Sequence, residues 1–331
     1  SARMIADAFW LVAGLAVIVK GGDLFVAAGV RLAEFLRLPR VVIGSTLVSL
    51  ATTSPELAVS VMAGLRGEPE LAIGNAMGSS LCNTGLVLGA MAAVKQIEVH
   101  PAALRVPLGV MLGLAGLLFL ITLNLDVSRL EAVALLLVGA AYFAYDFIAH
   151  SRDPRPTAAA EAGAVERAIV ARYAWLLTGP GTAVQFLSGA VMVVAGSRLL
   201  VDAAVALAAA LAIPSLVVGL TVVAFGTSLP ELVTAISSTR RRVSDLGIGN
   251  VLGANVANLS LIPGAAASIT PAGLQRPDQV FNMTAMLGVM TVVAFLIIRR
   301  GRISRRAGTG LLVFYTAYLT AVVLLSSATP R

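Results

Sequence analysis

The sequence predicts an all-α polytopic membrane protein in which ten transmembrane helices form two inverted five-helix repeats. Three observations support this prediction: an apolar composition, a block of residues that occurs twice, and an uneven distribution of basic residues. Of the 331 residues, 58% are hydrophobic and 12% are charged, and the mean hydropathy is +0.91. This composition is typical of a chain that crosses a bilayer many times.

Ten apolar runs follow one another along the chain, and most can cross a hydrocarbon core of about 30 Å. We predict spans at 5–36, 41–65, 70–93, 101–123, 127–149, 180–211, 215–239, 245–268, 278–298 and 307–328. The first and sixth spans each contain 32 residues. Because a span needs only about 20 residues, we expect these two helices to tilt or to project from the bilayer.

A single linker-like segment lies between the fifth and sixth spans. It covers 151–167, starts with Ser-Arg-Asp-Pro-Arg-Pro and continues with alanine and glutamate. We therefore predict a first five-helix repeat at 1–150, a cytoplasmic linker at 151–167 and a second, inverted repeat at 168–331.

Basic residues predict the orientation of the chain in the membrane. Sixteen lie in loops on one side, at 37–40, 95–105, 152–172, 240–242 and 299–306, and five lie on the other side. The positive-inside rule assigns the richer side to the cytoplasm, so both termini should face outward in the plasma (inner) membrane. Five spans per repeat is an odd number, so the second repeat enters the membrane upside down. The net charge of +7 then reflects topology, and nucleic acid is not an expected partner.

The duplicated block covers 38–89 and 213–264, which align without a gap at an offset of 175 and share 18 of 52 residues. The shared residues include prolines, glycines, threonines, asparagines and one glutamate per copy. A lipid environment offers no partner to a carboxylate or to an interrupted backbone, so such groups are usually functional. Broken apolar segments at matching positions of two halves are typical of the substrate site of a secondary transporter.

The first shared motif interrupts one span of each repeat. It reads Ala51-Thr52-Thr53-Ser54-Pro55-Glu56 in the first copy and Gly226-Thr227-Ser228-Leu229-Pro230-Glu231 in the second. Proline lacks an N–H and clashes with the carbonyl four residues earlier, so the carbonyls of Ala51 and Gly226 lose their helical donor. Each copy therefore offers a carboxylate, two hydroxyls and a freed carbonyl near the middle of the bilayer. The alternative is that the motif only kinks and caps a helix.

The second shared motif adds small residues and neutral amides. Gly74-Asn75, Gly78-Ser79 and Asn83 in the first copy match Gly249-Asn250, Gly253-Ala254 and Asn258 in the second. Glycines four residues apart let helices approach closely. The amides can bind a cation through oxygen without adding charge, or they can tie helices together by hydrogen bonds.

Together these groups would form a cage of oxygens with two negative charges. Ca²⁺ binds about six to eight oxygen ligands in irregular geometry, which suits this inventory. No histidine or second cysteine lies within reach, which argues against zinc or copper; the lone Cys82 is expected to pack as a small residue. Four further charges lie within spans, Lys20, Asp23, Arg198 and Asp202. Their spacing of three or four residues favours local ion pairs.

These motifs, duplicated in inverted halves, resemble the α-repeats of the sodium/calcium exchanger family within the cation/calcium antiporter superfamily. The resemblance covers nearly the whole chain. It implies ten helices, alternating access in which the two long spans slide over a core of eight helices, and competition of Na⁺ with Ca²⁺ for one site. It also implies ion ligands from both motifs, namely Glu56, Glu231, Thr52, Thr53, Thr227, Ser228, Ser79, Asn83 and Asn258, beside the carbonyls of Ala51 and Gly226.

The chain departs from the family pattern at four positions. Ala51 replaces the usual glycine, Ser80 the usual asparagine, and Ala254 the serine that would match Ser79. Position 258 is asparagine where many sodium-coupled relatives have aspartate. The loss of a hydroxyl at 254 could remove one Na⁺ ligand, so the ion stoichiometry stays open.

The leading hypothesis is an electrogenic Na⁺/Ca²⁺ antiporter with Ca²⁺, Na⁺ and membrane lipids as partners and no cofactor. A Ca²⁺/H⁺ antiporter that uses the same glutamates is the nearest alternative, although proton-coupled relatives generally carry a different motif. A cation channel is a further alternative. An enzyme is not expected, because no histidine lies in a span core to pair with a serine or the cysteine. The oligomeric state stays open, and a monomer is compatible with the sequence.

Overall fold

The computed structural model describes residues 2–65, 67, 69–151, 178–210, 228–273 and 276–328, and most of these residues are helical. Within them, seven helices are long and apolar enough to cross a bilayer. Their apolar stretches are Val12–Ala33, Ala72–Val94, Pro101–Asn124, Arg129–Ala149, Gly179–Gly196, Ser244–Ile269 and Val280–Arg300. The protein is therefore a multi-pass membrane protein.

Three of the ten predicted spans are not among these seven helices. The span predicted at 41–65 is divided into short helices with a break at Thr53. The span predicted at 215–239 begins within 211–227, outside the described residues. The last predicted span forms a helix at Arg305–Ala328, although no stretch of it is among the seven. The predicted linker at 151–167 also lies outside the described residues, except for Ser151.

The described part of the first half contains eight α-helices. They are α1 (Ala2–Leu36), α2 (Arg40–Ile43), α3 (Ser49–Thr52), α4 (Ser54–Leu65), α5 (Pro69–Leu81), α6 (Leu88–Val94), α7 (Pro101–Ile121) and α8 (Arg129–Ser151). A π-helical segment, Gly44–Val48, joins α2 to α3, and a second, Cys82–Val87, joins α5 to α6. Such segments widen one helical turn and are frequent at functional sites. Both lie inside the duplicated block.

The second half contains five helices in its described part. They are α9 (Gly179–Ala210), α10 (Leu229–Arg240), α11 (Ser244–Ile269), α12 (Arg276–Arg300) and α13 (Arg305–Ala328). The helix α11 is continuous where its counterpart in the first half contains the second π-helical segment. The two halves thus share a pattern but differ in local helix geometry.

Four two-residue strands connect the halves. β1 (Ile97–Glu98) pairs antiparallel with β4 (Arg302–Ile303), and β2 (Asp126–Val127) pairs antiparallel with β3 (Ala272–Gly273). β1 and β3 lie 175 residues apart, which is the offset of the sequence repeat. The first short strand of each half thus pairs with the second short strand of the other half.

The helix α11 lies at the centre of the described core. Its residues from Leu246 to Ser260 are all buried, and it packs against α4, α5, α7, α8, α10 and the first π-helical segment. Glycine permits this packing, because a Cβ atom at Gly249 would clash with the carbonyl oxygen of Val41 and one at Gly253 with that of Ser45. The close approach predicted for the second motif is therefore present around α11.

The corresponding glycines of the first motif, Gly74 and Gly78, meet nothing within 4 Å in the described part of the chain. By the repeat offset, their partners would be residues 216 and 220, which lie outside the described residues. Close packing at Gly74 and Gly78 stays a prediction.

The two longest helices, α1 and α9, pack along each other. They contain 35 and 32 residues, which confirms the expected length of the first and sixth spans. Phe25 of α1 and Phe186 of α9 are in contact, with ring centroids 4.5 Å apart and ring planes tilted by 40°. A Cβ atom at Gly189 would lie 2.7 Å from the backbone nitrogen of Phe25, so a larger residue there would separate the helices.

Candidate functional site

The two copies of the first motif adopt the same backbone break. Thr53 has φ −82° and ψ −1°, and the matching Ser228 has φ −90° and ψ 6°. A helix starts directly after each of them, α4 at Ser54 and α10 at Leu229, with proline in the first turn. Proline is tolerated there because the first N–H groups of a helix have no intrahelical acceptor.

Each break is followed by a glutamate in the first turn of the new helix, Glu56 in α4 and Glu231 in α10. The positive end of a helix dipole favours a carboxylate at this position. Both side chains are 1% exposed. An ionised carboxylate without a partner is costly to bury, so both positions need a positive partner or a proton.

Most of the predicted ligand residues are buried. This holds for Thr52, Thr53, Glu56, Ser79, Asn83, Ser228, Glu231 and Asn258, while Ala51 is half-buried. Gly226 and Thr227 lie outside the described residues, so their contribution stays a prediction.

Contacts between the halves join residues of the first motif to the second half. The hydroxyl of Thr53 donates to Oε1 of Glu231 at 3.2 Å, and the hydroxyl of Thr52 lies 3.1 Å from Oδ1 of Asn250. The two carboxylates are close enough to interact electrostatically. Hydroxyls of the first half and a carboxylate of the second therefore converge in one buried region.

The amides Asn83 and Asn258 lie on segments that flank these carboxylates. Asn83 belongs to the second π-helical segment, which packs against α10, the helix that carries Glu231. Asn258 belongs to α11, which packs against α4, the helix that carries Glu56. Each amide thus lies on an element that contacts the glutamate helix of the opposite half.

Several buried oxygens of these residues have no hydrogen-bond partner among the described residues. They are Oε2 of Glu56, Oε2 of Glu231, Oδ1 of Asn83, Oδ1 of Asn258 and the hydroxyl oxygen of Ser228. A buried acceptor without a donor costs about 1–3 kcal/mol, and buried polar atoms are normally paired. A bound cation satisfies such oxygens, so the donor set fits a hard cation that prefers oxygen ligands.

The described residues contain no group of three histidine, cysteine, aspartate or glutamate side chains able to hold a metal ion. Transition metals such as zinc commonly use such sets. Hydroxyl and amide oxygens beside two carboxylates suit Na⁺ or Ca²⁺ better. Cys82 is buried within electrostatic range of both glutamates, so it lines this region as a small residue.

The carbonyl oxygen of Ala51, which loses its helical donor at the first break, accepts one hydrogen bond from a side chain. Ser54 donates its hydroxyl to the carbonyl oxygen of Ala51 at 2.8 Å, so this oxygen accepts a side-chain hydrogen bond in place of its helical donor. A carbonyl oxygen has two lone pairs, so one lone pair remains for a further partner.

Asp23 makes an interhelical contact instead of the predicted local ion pair with Lys20. Ser237 of α10 donates its hydroxyl to Oδ1 of Asp23 at 2.5 Å, and Nε of Arg241 lies 3.9 Å from the same oxygen. The reason is that α1 packs against α10. In the part of the chain described, no ion pair joins Arg198 to Asp202, and both are exposed.

Asp146 is a buried carboxylate that the sequence analysis missed. It is 1% exposed on α8, and Ser45 of the first π-helical segment donates to its Oδ2 at 2.5 Å. A carboxylate inside a predicted apolar span was the available signal. Because its partner Ser45 lies seven residues before Thr52, Asp146 supports the segment that leads to the site.

Comparisons with known proteins agree with this architecture. A family profile described as Sodium/calcium exchanger protein matches residues 7–148 and 181–324. The Inner membrane protein YrbG of Escherichia coli is 33% identical over 92% of each chain. Sodium/calcium exchanger MaX1 of Methanosarcina acetivorans is 29% identical over 94% of this chain and 97% of its own length.

A solved structure of the sodium-calcium exchanger NCX_Mj, soaked with zero Na⁺ and Ca²⁺, superposes with a TM-score of 0.82. It is 27% identical, and the match covers 96% of this chain and 99% of that chain. The similarity therefore extends through both halves and includes the candidate site.

Proposed function

The chain belongs to the sodium/calcium exchanger family, a family of membrane transporters and not of enzymes, and we propose that it is a secondary active antiporter that exchanges Na⁺ for Ca²⁺. One observation carries this proposal: two buried glutamates, one from each half, have oxygens without a donor in the described part of the chain. The Thr53–Glu231 hydrogen bond joins the halves at this point.

The proposed architecture is ten transmembrane helices in two inverted repeats, at 1–150 and 168–331, with a linker at 151–167. The exchange of strand partners supports it, because β1 pairs with β4 while β2 pairs with β3. A twofold relation between the halves produces this kind of reciprocal pairing.

The proposed ion ligands are the two glutamates together with oxygens of neighbouring residues. These are Thr52, Thr53, Ser79, Asn83, Thr227, Ser228 and Asn258 and the carbonyls of Ala51 and Gly226. One Ca²⁺ neutralises the two carboxylates. Neutral hydroxyls and amides complete the coordination without adding charge. Na⁺ competes for the same oxygens, so the two ions occupy the cluster in turn.

Alternating access follows from this competition. We propose that α1 and α9 move together over the remaining helices and expose the cluster first to one side and then to the other. Their length of 35 and 32 residues and their mutual packing support a joint movement.

Exchange of three Na⁺ for one Ca²⁺ would carry one net positive charge across the membrane per cycle. The membrane voltage then contributes about 2.3 kcal/mol per 100 mV to the driving force. The Thr-Ser-x-Pro-Glu form of the motif favours Na⁺ over H⁺ as the coupling ion. Ala254 lacks the hydroxyl that Ser79 supplies in the first half, which bears on how many Na⁺ ions bind.

The proposed location is the plasma (inner) membrane. The distribution of lysine and arginine supports a cytoplasmic position for 151–167 and an outer position for both ends of the chain. Ca²⁺, Na⁺ and membrane lipids are the proposed partners.

Reconstitution into liposomes tests the coupling ion. With an outward Na⁺ gradient at clamped pH, radioactive Ca²⁺ should accumulate, and a pH gradient alone should produce none. Accumulation that needs no Na⁺ and is lost when a protonophore dissipates the pH gradient would favour the Ca²⁺/H⁺ antiporter. Flux that needs no counter-ion and saturates weakly would favour a channel.

A further inference from the structure

An apolar groove lies between α12 and α13, away from the ion site. Its cavity has a volume of about 730 Å³. Val280, Gly288 and Leu296 line it on α12, and Ala307, Gly310 and Phe314 line it on α13. A Cβ atom at Gly288 or Gly310 would meet nothing within 4 Å in the described part of the chain, so these glycines form an open floor.

The groove is long enough to hold an acyl chain. Val280 and Leu296 are 16 residues apart, which corresponds to about 24 Å along a helix. One leaflet of the hydrocarbon core is about 15 Å thick, half of the whole core. The groove can therefore hold a lipid tail along its whole depth in one leaflet.

Unpaired arginines lie at the end of the groove where α12 turns into α13. Arg299 and Arg300 follow Leu296 by three and four residues, and Arg306 precedes Gly310 by four, so they share the groove face of their helices. All three are exposed, and none forms an ion pair or hydrogen bond with another residue in the described part of the chain.

The two other arginines of this turn are placed against other parts of the chain. Arg305 donates to the carbonyl oxygens of Ala93 and Val94, both at 3.0 Å. Arg302 lies opposite Glu98 in the β1–β4 pair. Arg299, Arg300 and Arg306 therefore place three positive charges at the mouth of the groove.

From this combination we infer that the α12–α13 groove is a binding site for an anionic phospholipid, with one acyl chain in the groove and the phosphate on the three arginines. Basic residues at the cytoplasmic end of a gap between helices are suited to acidic headgroups. A second copy of the chain fits less well, because it would bring a second set of arginines to the same mouth.

Native mass spectrometry of the purified full chain tests this site. Phosphatidylglycerol and phosphatidylcholine with identical acyl chains are added at equal concentration. We expect retention of one phosphatidylglycerol in at least tenfold excess over phosphatidylcholine. Equal retention of the two lipids by the unmodified protein would overturn the proposal. Full displacement of the lipid by inorganic phosphate would also overturn it, because it would show a phosphate site that does not require an acyl chain.

Two variants examine the two parts of the site. Arg299→Gln with Arg306→Gln should lower phosphatidylglycerol retention about fivefold per arginine, since each basic residue near the membrane contributes on the order of 1 kcal/mol. Gly288→Leu fills the floor and should lower retention as well.

Matched controls separate the site from general effects. Arg105→Gln removes an exposed arginine from the start of α7, and Gly113→Leu enlarges the glycine at the repeat-related position of α7, which is also open. Both should retain lipid like the unmodified protein. Equal losses in controls and variants, or a dimer that Gly288→Leu dissociates, would contradict a lipid site.

Discussion

Thr53 donates its hydroxyl to Oε1 of Glu231 at 3.2 Å, across 178 residues of chain. The equivalent bond in the other direction, from Ser228 to Glu56, is not made: the Ser228 hydroxyl and Oε2 of Glu56 have no hydrogen-bond partner among the residues that the structure describes. The two carboxylates of the duplicated motif are thus held differently. A site that alternates between two sides of a membrane is expected to be asymmetric in either state.

Replacement of Glu56 or Glu231 by glutamine should abolish Ca²⁺ uptake. Each change halves the negative charge of the cluster and keeps the shape of the side chain, so the protein should stay folded. Uptake of radioactive Ca²⁺ by proteoliposomes and gel filtration of the same samples check both points. Glu98→Gln, at an exposed position, should leave uptake unchanged. Normal uptake by a folded Glu231→Gln protein would refute the assignment.

Thr53→Val should weaken Ca²⁺ binding, and Thr53→Ser should restore it. Valine keeps the volume and removes the hydroxyl that Glu231 accepts. A hydrogen bond to a charged group contributes about 1.5–3 kcal/mol, so the KM for Ca²⁺ should rise about 10-fold to 100-fold. The measurement is the Ca²⁺ dependence of the initial uptake rate. Equal KM values for the valine and serine variants would mean that the hydroxyl is not needed.

Asn258→Asp should make exchange more dependent on pH. A third buried carboxylate would change the charge of the cluster from −2 to −3 when it ionises, so ion binding should vary across the pH range of that ionisation. Ca²⁺ exchange against pH is compared for the unmodified protein and the variant. Gln96→Glu, at a half-buried position outside the predicted spans, is the control. Superimposable profiles would show that position 258 lies outside the cluster.

Gly253→Ala should destabilise the protein. The added Cβ atom would clash with the carbonyl of Ser45 and lie 2.7 Å from its carbonyl carbon, and overpacking of this kind costs about 1–3 kcal/mol. Gly113→Ala, on an exposed face of α7 with open space around it, should be neutral or slightly stabilising. Thermal unfolding in detergent gives both Tm values. A Tm for Gly253→Ala at or above that of Gly113→Ala would contradict the close packing.

Asp23→Asn should change the turnover rate more than the KM for Ca²⁺. Asp23 on α1 accepts a hydrogen bond from Ser237 on α10, and a sliding movement of α1 over α10 must break this contact. Ser237→Ala should have a similar effect because it removes the donor. Uptake rates at saturating and limiting Ca²⁺ separate the two parameters. A large change in KM with a constant maximal rate would mean that Asp23 acts on the ion site.

Much of the fold follows from local patterns in the sequence. Apolar length predicted the two long helices, since hydropathy reports the surroundings of each segment directly. Proline predicted the breaks before Glu56 and Glu231, because its ring restricts the residue before it and removes a donor wherever it occurs. The offset of 175 residues predicted which residues are equivalent, including the buried pair of glutamates.

Contacts between distant segments required the tertiary structure. The repeat shows that Thr53 and Ser228 occupy equivalent positions. It does not predict which of their hydroxyls donates to which carboxylate. The same limit explains why Asp23 was expected to pair with Lys20 on its own helix when its partners are Ser237 and Arg241 on α10. Helix packing determines such pairs, because it brings together side chains that are far apart in the sequence. Their separation along the chain does not predict the distance between them in the folded protein.

The sequence by itself determined the membrane class, the repeat and the chemical identity of the site residues, since each is a property of composition or local order. Only the tertiary structure decided the exchange of strand partners, the bond from Thr53 to Glu231 and the support of Ser45 by the missed Asp146. The physical reason is that hydrogen bonds act over about 3 Å. The relative rotation and depth of neighbouring helices therefore select which of several suitable oxygens are joined.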